Sequence, residues 1–111
     1  MILYKILLPR QWDAFDTSGV LTGSPLDAQS GFVHCSSRAQ VAATLGRFFS
    51  NESEVVVVGF DSDDFGEQLR WEPAANDELF PHVYGPLLRS AVIEVDHVDL
   101  PSGAEQFLDG G

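Results

Sequence analysis

Residues 30–37 read SGFVHCSS. Gly31, Phe32 and Val33 open as a core strand does, yet His34 stands at the centre and two serines follow Cys35. Side chains alternate along a strand, so Phe32, His34 and Ser36 share one face and Val33 and Cys35 the other. His34 and Cys35 therefore cannot form a dyad or readily ligate one metal. Cys35 reads as a core residue beneath the next helix. That helix is marked by Ser37 and Gln40, an S-x-x-Q capping box. Its apolar face is Val41, Leu45, Phe48 and Phe49, at i, i+4, i+7 and i+8. His34 and Ser36 thus stand together at a strand-to-helix junction, where helix amides attract anions. A lone histidine there can equally be a satisfied structural group, unless polar side chains from elsewhere converge on it.

Two stretches offer such groups. In LRWE (69–72), Arg70 and Glu72 share a strand face opposite Leu69 and Trp71, though a solvated ion pair explains them as well. In LFPHVYG (79–85), His82 and Tyr84 share a side if the segment is extended, bracketed by Pro81 and Gly85. Read as a loop after an acidic turn, this segment is costly to order unless it carries function. The plainer alternative is that Tyr84 packs and His82 caps a turn.

Outward from these segments, residues 2–8 (ILYKILL) favour a first strand, with Pro9 at a helix start and Gly19 as its stop. Trp12 and Phe15 give that helix its apolar positions. TGSPLDAQSG (22–31) is turn chemistry throughout. EVVVVGF (54–60) is a strand buried on both faces, DSDDFGE (61–67) a loop or short turn, and PAANDELFP (73–81) a loop. Residues 68–72 and 87–95 complete about five strands, and EQFLDGG (105–111) reads as a fraying tail. The expected fold class is α+β, with small mixed, mostly antiparallel sheets and two early helices.

The 111 residues fit a single domain spanning 1–111. The N-terminal apolar run is too short for a membrane span and lacks a cleavable leader pattern. With one cysteine and no disulfide framework, a cytoplasmic location and no membrane partner are expected. Seventeen carboxylates against Lys5, Arg10, Arg38, Arg47, Arg70 and Arg89 give a net charge of −11. Such a surface repels phosphate backbones, so direct nucleic-acid binding is not expected. Residues 61–72 nearly fit a calcium loop, but Phe65 occupies a ligand position and a strand precedes it. The three histidines lack zinc spacing, and no glycine-rich phosphate loop or nucleophile elbow is present.

With GFVHCS, Gln40, RWE and FPHVYG in view, the chain is identified as a member of a bacterial family known as domain of unknown function 952. The resemblance runs from YKI and Trp12 through FPHVYG. The family has no established activity. A wider resemblance is to the ADP-ribosyltransferase-like fold, nearest the RNA 2′-phosphotransferase branch. There a strand leads to a tryptophan-bearing helix, and a later strand ends in histidine before the next helix. It implies paired small sheets around an NAD cleft, with His34 near the nicotinamide-ribose or phosphate region and Glu72 stabilising positive charge at the ribose anomeric carbon. The chain departs from that pattern at Lys5, which stands where a histidine follows the tyrosine, and in lacking the arginine set that grips RNA.

Two functional expectations follow. As an enzyme, the chain would use His34, Glu72 and His82 as catalytic groups. Lys5 and Arg70 would hold an anionic group, Ser36 would orient a sugar or phosphate, and Tyr84 would stack on a ring. The reaction would be ADP-ribosyl, glycosyl or phosphoryl transfer or glycosidic hydrolysis, with NAD a substrate, no cofactor assigned and an anionic small molecule as partner. Alternatively, the same fold is a non-catalytic small-molecule-binding or dimerisation module.

Overall fold

The computed structural model describes residues 1–21, 25–74 and 77–107. The chain runs β1 (Ile2–Leu7), α1 (Pro9–Ser18), β2 (Val20–Leu21), α2 (Pro25–Ser30), β3 (Val33–His34), β4 (Ser36–Ser37) and α3 (Arg38–Phe48). Then follow β5 (Glu54–Asp61), β6 (Leu69–Pro73), β7 (Leu79–Val83), β8 (Leu87–Leu88) and β9 (Val92–Asp99). Short 3-10 turns occupy Ser62–Asp64, Gly66–Gln68, Arg89–Ala91 and Ser102–Phe107. Among the described residues every strand pairing is antiparallel, which gives the expected α+β class.

One sheet has the order β4-β1-β5-β9, a second β3-β7-β6, and β2 pairs with β8. Period-two alternation makes the first sheet two-sided. Leu3, Leu7, Val56, Val58 and Phe60 face α1 and the second sheet, where they pack with Trp12, Phe15, Val33 and Val83. Tyr4, Ile6, Val55 and Val57 face the other way, against Val41 and Leu45 of α3 and against Phe107. A strand buried on both faces must be apolar at every position, which is why β5 reads as an unbroken hydrophobic run.

The quoted stretch is the corner between the sheets. Val33–His34 pairs with β7 in the second sheet, and Ser36–Ser37 pairs with β1 in the first, register Tyr4 opposite Ser36. Cys35 spans the switch, its N–H donating to Pro81 O at 3.0 Å. Gln40 closes the helix cap by accepting the Ser37 N–H at 3.0 Å, and its amide donates to Leu79 O at 2.7 Å. One glutamine thereby caps α3 and ties it to β7.

Several expectations are corrected. The supposed turn at 22–31 contains α2, while residues 22–24 lie outside the described part. Gly31, at φ 86°, ends α2 in the left-handed conformation that glycine adopts without strain. The supposed loop at 79–85 is largely β7, the central strand of the second sheet. Pro81 is tolerated there because its carbonyl, and with it the position of its missing N–H, points to the side where β3 has already ended. The expected strand 87–95 is two strands with a turn between, and β9 continues to Asp99. The supposed tail folds back as far as Phe107, which is 1% exposed, beside Tyr4 and under the Arg38 guanidinium. Phe48, expected on the buried face of α3, is 66% exposed. The rest of the tail (108–111) and residues 75–76 of the expected loop lie outside the described residues.

Candidate functional site

The register of the second sheet sets the site. His34 stands opposite His82, and His82 opposite Arg70, so the three side chains share one face. Alternation adds Phe32, Glu72, Phe80 and Tyr84 to that face. The opposite face carries Val33 and Val83 into the core. His34, Arg70, Glu72, His82 and Tyr84, singled out from three separate stretches, therefore meet on one surface, whereas Ser36, expected beside His34, lies on β4 in the other sheet.

Each histidine is held at Nδ1 by a carboxylate. His34 Nδ1 lies 2.5 Å from Asp27 Oδ1, which also accepts the His34 backbone N–H at 3.0 Å. His82 Nδ1 lies 2.9 Å from Glu72 Oε1, the same oxygen that accepts the Tyr84 hydroxyl at 2.6 Å. A carboxylate only accepts, so the Nδ1 hydrogens point at Asp27 and Glu72, and the Nε2 atoms are the outward-working nitrogens. The two imidazoles stand 5.2 Å apart, centroid to centroid. Phe32 stacks on His82 at 4.1 Å and lies 4.7 Å from His34, fixing both rings from the side.

Asp27, which sequence reasoning missed, is the buried centre of the arrangement. It is 2% exposed; its Oδ2 takes the Lys5 Nζ at 2.7 Å. Lys5 also donates to His34 O at 3.1 Å. The anion-holding role expected of Lys5 is thus filled from within the chain. A lysine on the core face of β1 needs a carboxylate in compensation, and α2 delivers one. That need was the signal in ILYKILL: an otherwise apolar strand with one ammonium.

A cavity of about 340 Å³ opens where the sheets part. β4 pairs with β1 only at Leu3 and Tyr4, and the cavity runs along Lys5 and Ile6 beyond it. Lys5, His34, Ser36 and His82 line it, with Asp27 and Cys35. Ser36 is buried, its hydroxyl 3.3 Å from that of Thr44, which also lines the cavity. Arg70, Glu72 and Tyr84 are not in the lining; Arg70 lies over the Tyr84 ring at 4.9 Å. Glu72 touches the lining residue His82 and also holds Tyr84, while Arg70 stands outside the cavity over the Tyr84 ring. The Tyr84 hydrogen bond, then that of His82, holds the Glu72 carboxyl below the usual range, and the same bond to Glu72 raises the Tyr84 phenol. Burial pushes the Cys35 thiol up to about 12, leaving it a core residue rather than a nucleophile. Among the described residues no cluster of three or more His, Cys, Asp or Glu side chains is arranged for a metal, and no helix is long and apolar enough to cross a membrane.

These features define a small α+β protein in which two antiparallel sheets part around a histidine-lined cavity. The chain belongs to the family described as Protein of unknown function (DUF952), whose model matches residues 6–95. It is similar to protein CC0527 from Caulobacter crescentus. In the crystal structure of that protein the likeness has 34% identity and a TM-score of 0.86, covering 94% of this chain and 91% of that one. In its solution NMR structure the identity is again 34% and the TM-score 0.85, over 99% and 96% of the two chains. No curated protein matches the chain.

Proposed function

We propose that the cavity binds a small ring-bearing, nucleotide-like ligand and that His34 and His82 act on it as an acid–base pair. The observation that carries this reading is two adjacent imidazoles, each oriented by its own carboxylate, on the wall of one cavity. A base held by hydrogen bond to a third group is the recurring arrangement of general acid–base and nucleophilic catalysis. With Nδ1 engaged, each Nε2 can accept or deliver a proton at a bound molecule. The likeness to the ADP-ribosyltransferase-like fold suggests NAD as the substrate to test, with transfer at the ribose anomeric carbon the matching chemistry; a cavity of about 340 Å³ would take its nicotinamide end rather than the whole molecule. Glu72 then acts through His82, as a positioning group, rather than on the sugar.

Non-catalytic binding in the same cavity is the second reading, favoured by the closed Lys5–Asp27 pair, which leaves the first strand no free group for a ribose. Titration of labelled protein with NAD⁺, ADP-ribose and nicotinamide, followed by NMR, tests both. Saturable shifts around His34 and His82, lost in folded His34→Ala and His82→Ala variants, are expected. Turnover of NAD⁺ that both substitutions abolish separates enzyme from binder. If none of the three ligands shifts these resonances, NAD-type ligands are removed.

A further inference from the structure

The cavity has a second half that the histidines do not explain. Away from them its lining is largely apolar: Ile6, Leu8, Phe48 and Phe49 line it, with Phe80 beside His82 on β7. Phe48 is 66% exposed at the last residue of α3, an expensive place for a phenyl ring with nothing to cover it. Beside it Arg47 also lines the cavity, with its guanidinium 5.3 Å from the Phe48 ring. Four lining groups carry charge: Lys5, Asp27, Arg47 and Glu78. Lys5 and Asp27 are closed on each other at 2.7 Å, and Glu78 accepts the Gln40 amide at 2.8 Å. Arg47 has no ion pair among the described residues, in a chain with a net charge of −11.

We propose that the ligand is a single-ring organic acid with one anionic group, its apolar ring against Phe48 and Phe49, its carboxylate or phosphate on Arg47, and its reacting group toward His34 and His82. This rests on the cavity being the ligand site. A volume of about 340 Å³ lies near the small end of ligand pockets, suiting one ring with short substituents rather than a whole dinucleotide. The planar guanidinium takes carboxylate or phosphate in two-point fashion. The C-terminal turn of a helix repels anions, so anion binding here depends on Arg47 itself.

The test is an NMR titration of the full chain and its Arg47→Gln variant with phenylacetate, phenyl phosphate and neutral phenylacetamide, at millimolar concentrations. Wild-type protein should bind one or both anions about tenfold or more tightly than the amide, as expected for a hydrogen bond to a charged group. Shifts should reach Phe48, His34 and His82. Arg47→Gln should bring the anions down to the amide's affinity and leave the amide unchanged. A preference for phenylacetate over phenyl phosphate, or the reverse, identifies the anionic group. Equal binding of amide and anions, or anion binding indifferent to Arg47→Gln, overturns the inference. Shifts with NAD⁺ or ADP-ribose that are unaffected by Arg47→Gln overturn it too, while leaving the acid–base reading intact. If no ligand of either set moves His34 or His82, both fall.

Discussion

Replacing Asp27 by leucine strikes the centre of the structure. The substitution removes the acceptor of the Lys5 ammonium, the His34 backbone N–H and the His34 ring at one stroke. Lys5 is 6% exposed and Asp27 2%, so apart from water in the adjoining cavity nothing takes the place of the lost partner. Breaking a buried pair by removing one member costs about 3–5 kcal/mol, because a buried charge is left uncompensated. Against a total of about 5–15 kcal/mol for a domain, that is survivable but large, a fall in Tm of about 10–20 °C. Lys5→Met should cost less, since Asp27 then keeps both His34 donors. In the double variant Lys5→Met/Asp27→Leu no charge is stranded, so the two losses should fall short of additivity by about 1–3 kcal/mol. Urea unfolding followed by the fluorescence of buried Trp12 measures all four corners of the cycle. Additive losses within about 0.5 kcal/mol, or an Asp27→Leu protein as stable as wild type, would refute the argument that this pair is closed and buried.

Phe107→Ala should cost about 3–5 kcal/mol in the same urea assay, because the ring is fully buried against Tyr4 and α3 rather than part of a loose tail. Cys35 should resist alkylation at pH 8 in the native state and react only on unfolding, since burial raises its thiol to about 12; fast labelling of folded protein would contradict this. The Tyr84 phenol, raised by its hydrogen bond to Glu72, should titrate at lower pH in Glu72→Gln, as read from its Cζ NMR shift. With the phenol raised, the bond's contribution to stability is present below the unfolded tyrosine value and lost as pH rises through the folded one. With Glu72 lowered, the same bond is present above the unfolded carboxylate value and lost as pH falls through the folded one.

What the sequence disclosed, and what it withheld, divides along physical lines. Alternation is local, so Phe32 with His34, Arg70 with Glu72, and His82 with Tyr84 could each be placed on a shared face from spacing alone. The register that sets His34 opposite His82 and Arg70 is a long-range property, and no spacing within a segment contains it. β7 was hidden because Pro81 and Gly85 imitate a loop; only the early end of β3 makes a proline acceptable in a central strand. Phe48 misled in the opposite direction. Its position continues the apolar spacing of α3, yet the helix ends there and the ring turns to the cavity mouth instead of the core.

Asp27 shows how the missing piece could have been demanded, though not located. Lys5 alternates with Leu3 and Leu7, both core residues, so its ammonium was bound to be buried and to require a carboxylate. Seventeen carboxylates were available, and propensity does not choose among them. The choice falls to α2, a six-residue helix whose sequence reads as turn and which forms beneath the corner made by Cys35. Once there, Asp27 has two oxygens to share: one compensates Lys5 and the other orients His34. Stability and the proposed function thus draw on one carboxylate. A variant that keeps the charge balance but frees His34, such as the double variant above, should fold while losing the ligand-dependent shifts at His34, which separates what Asp27 does for the fold from what it does for the site.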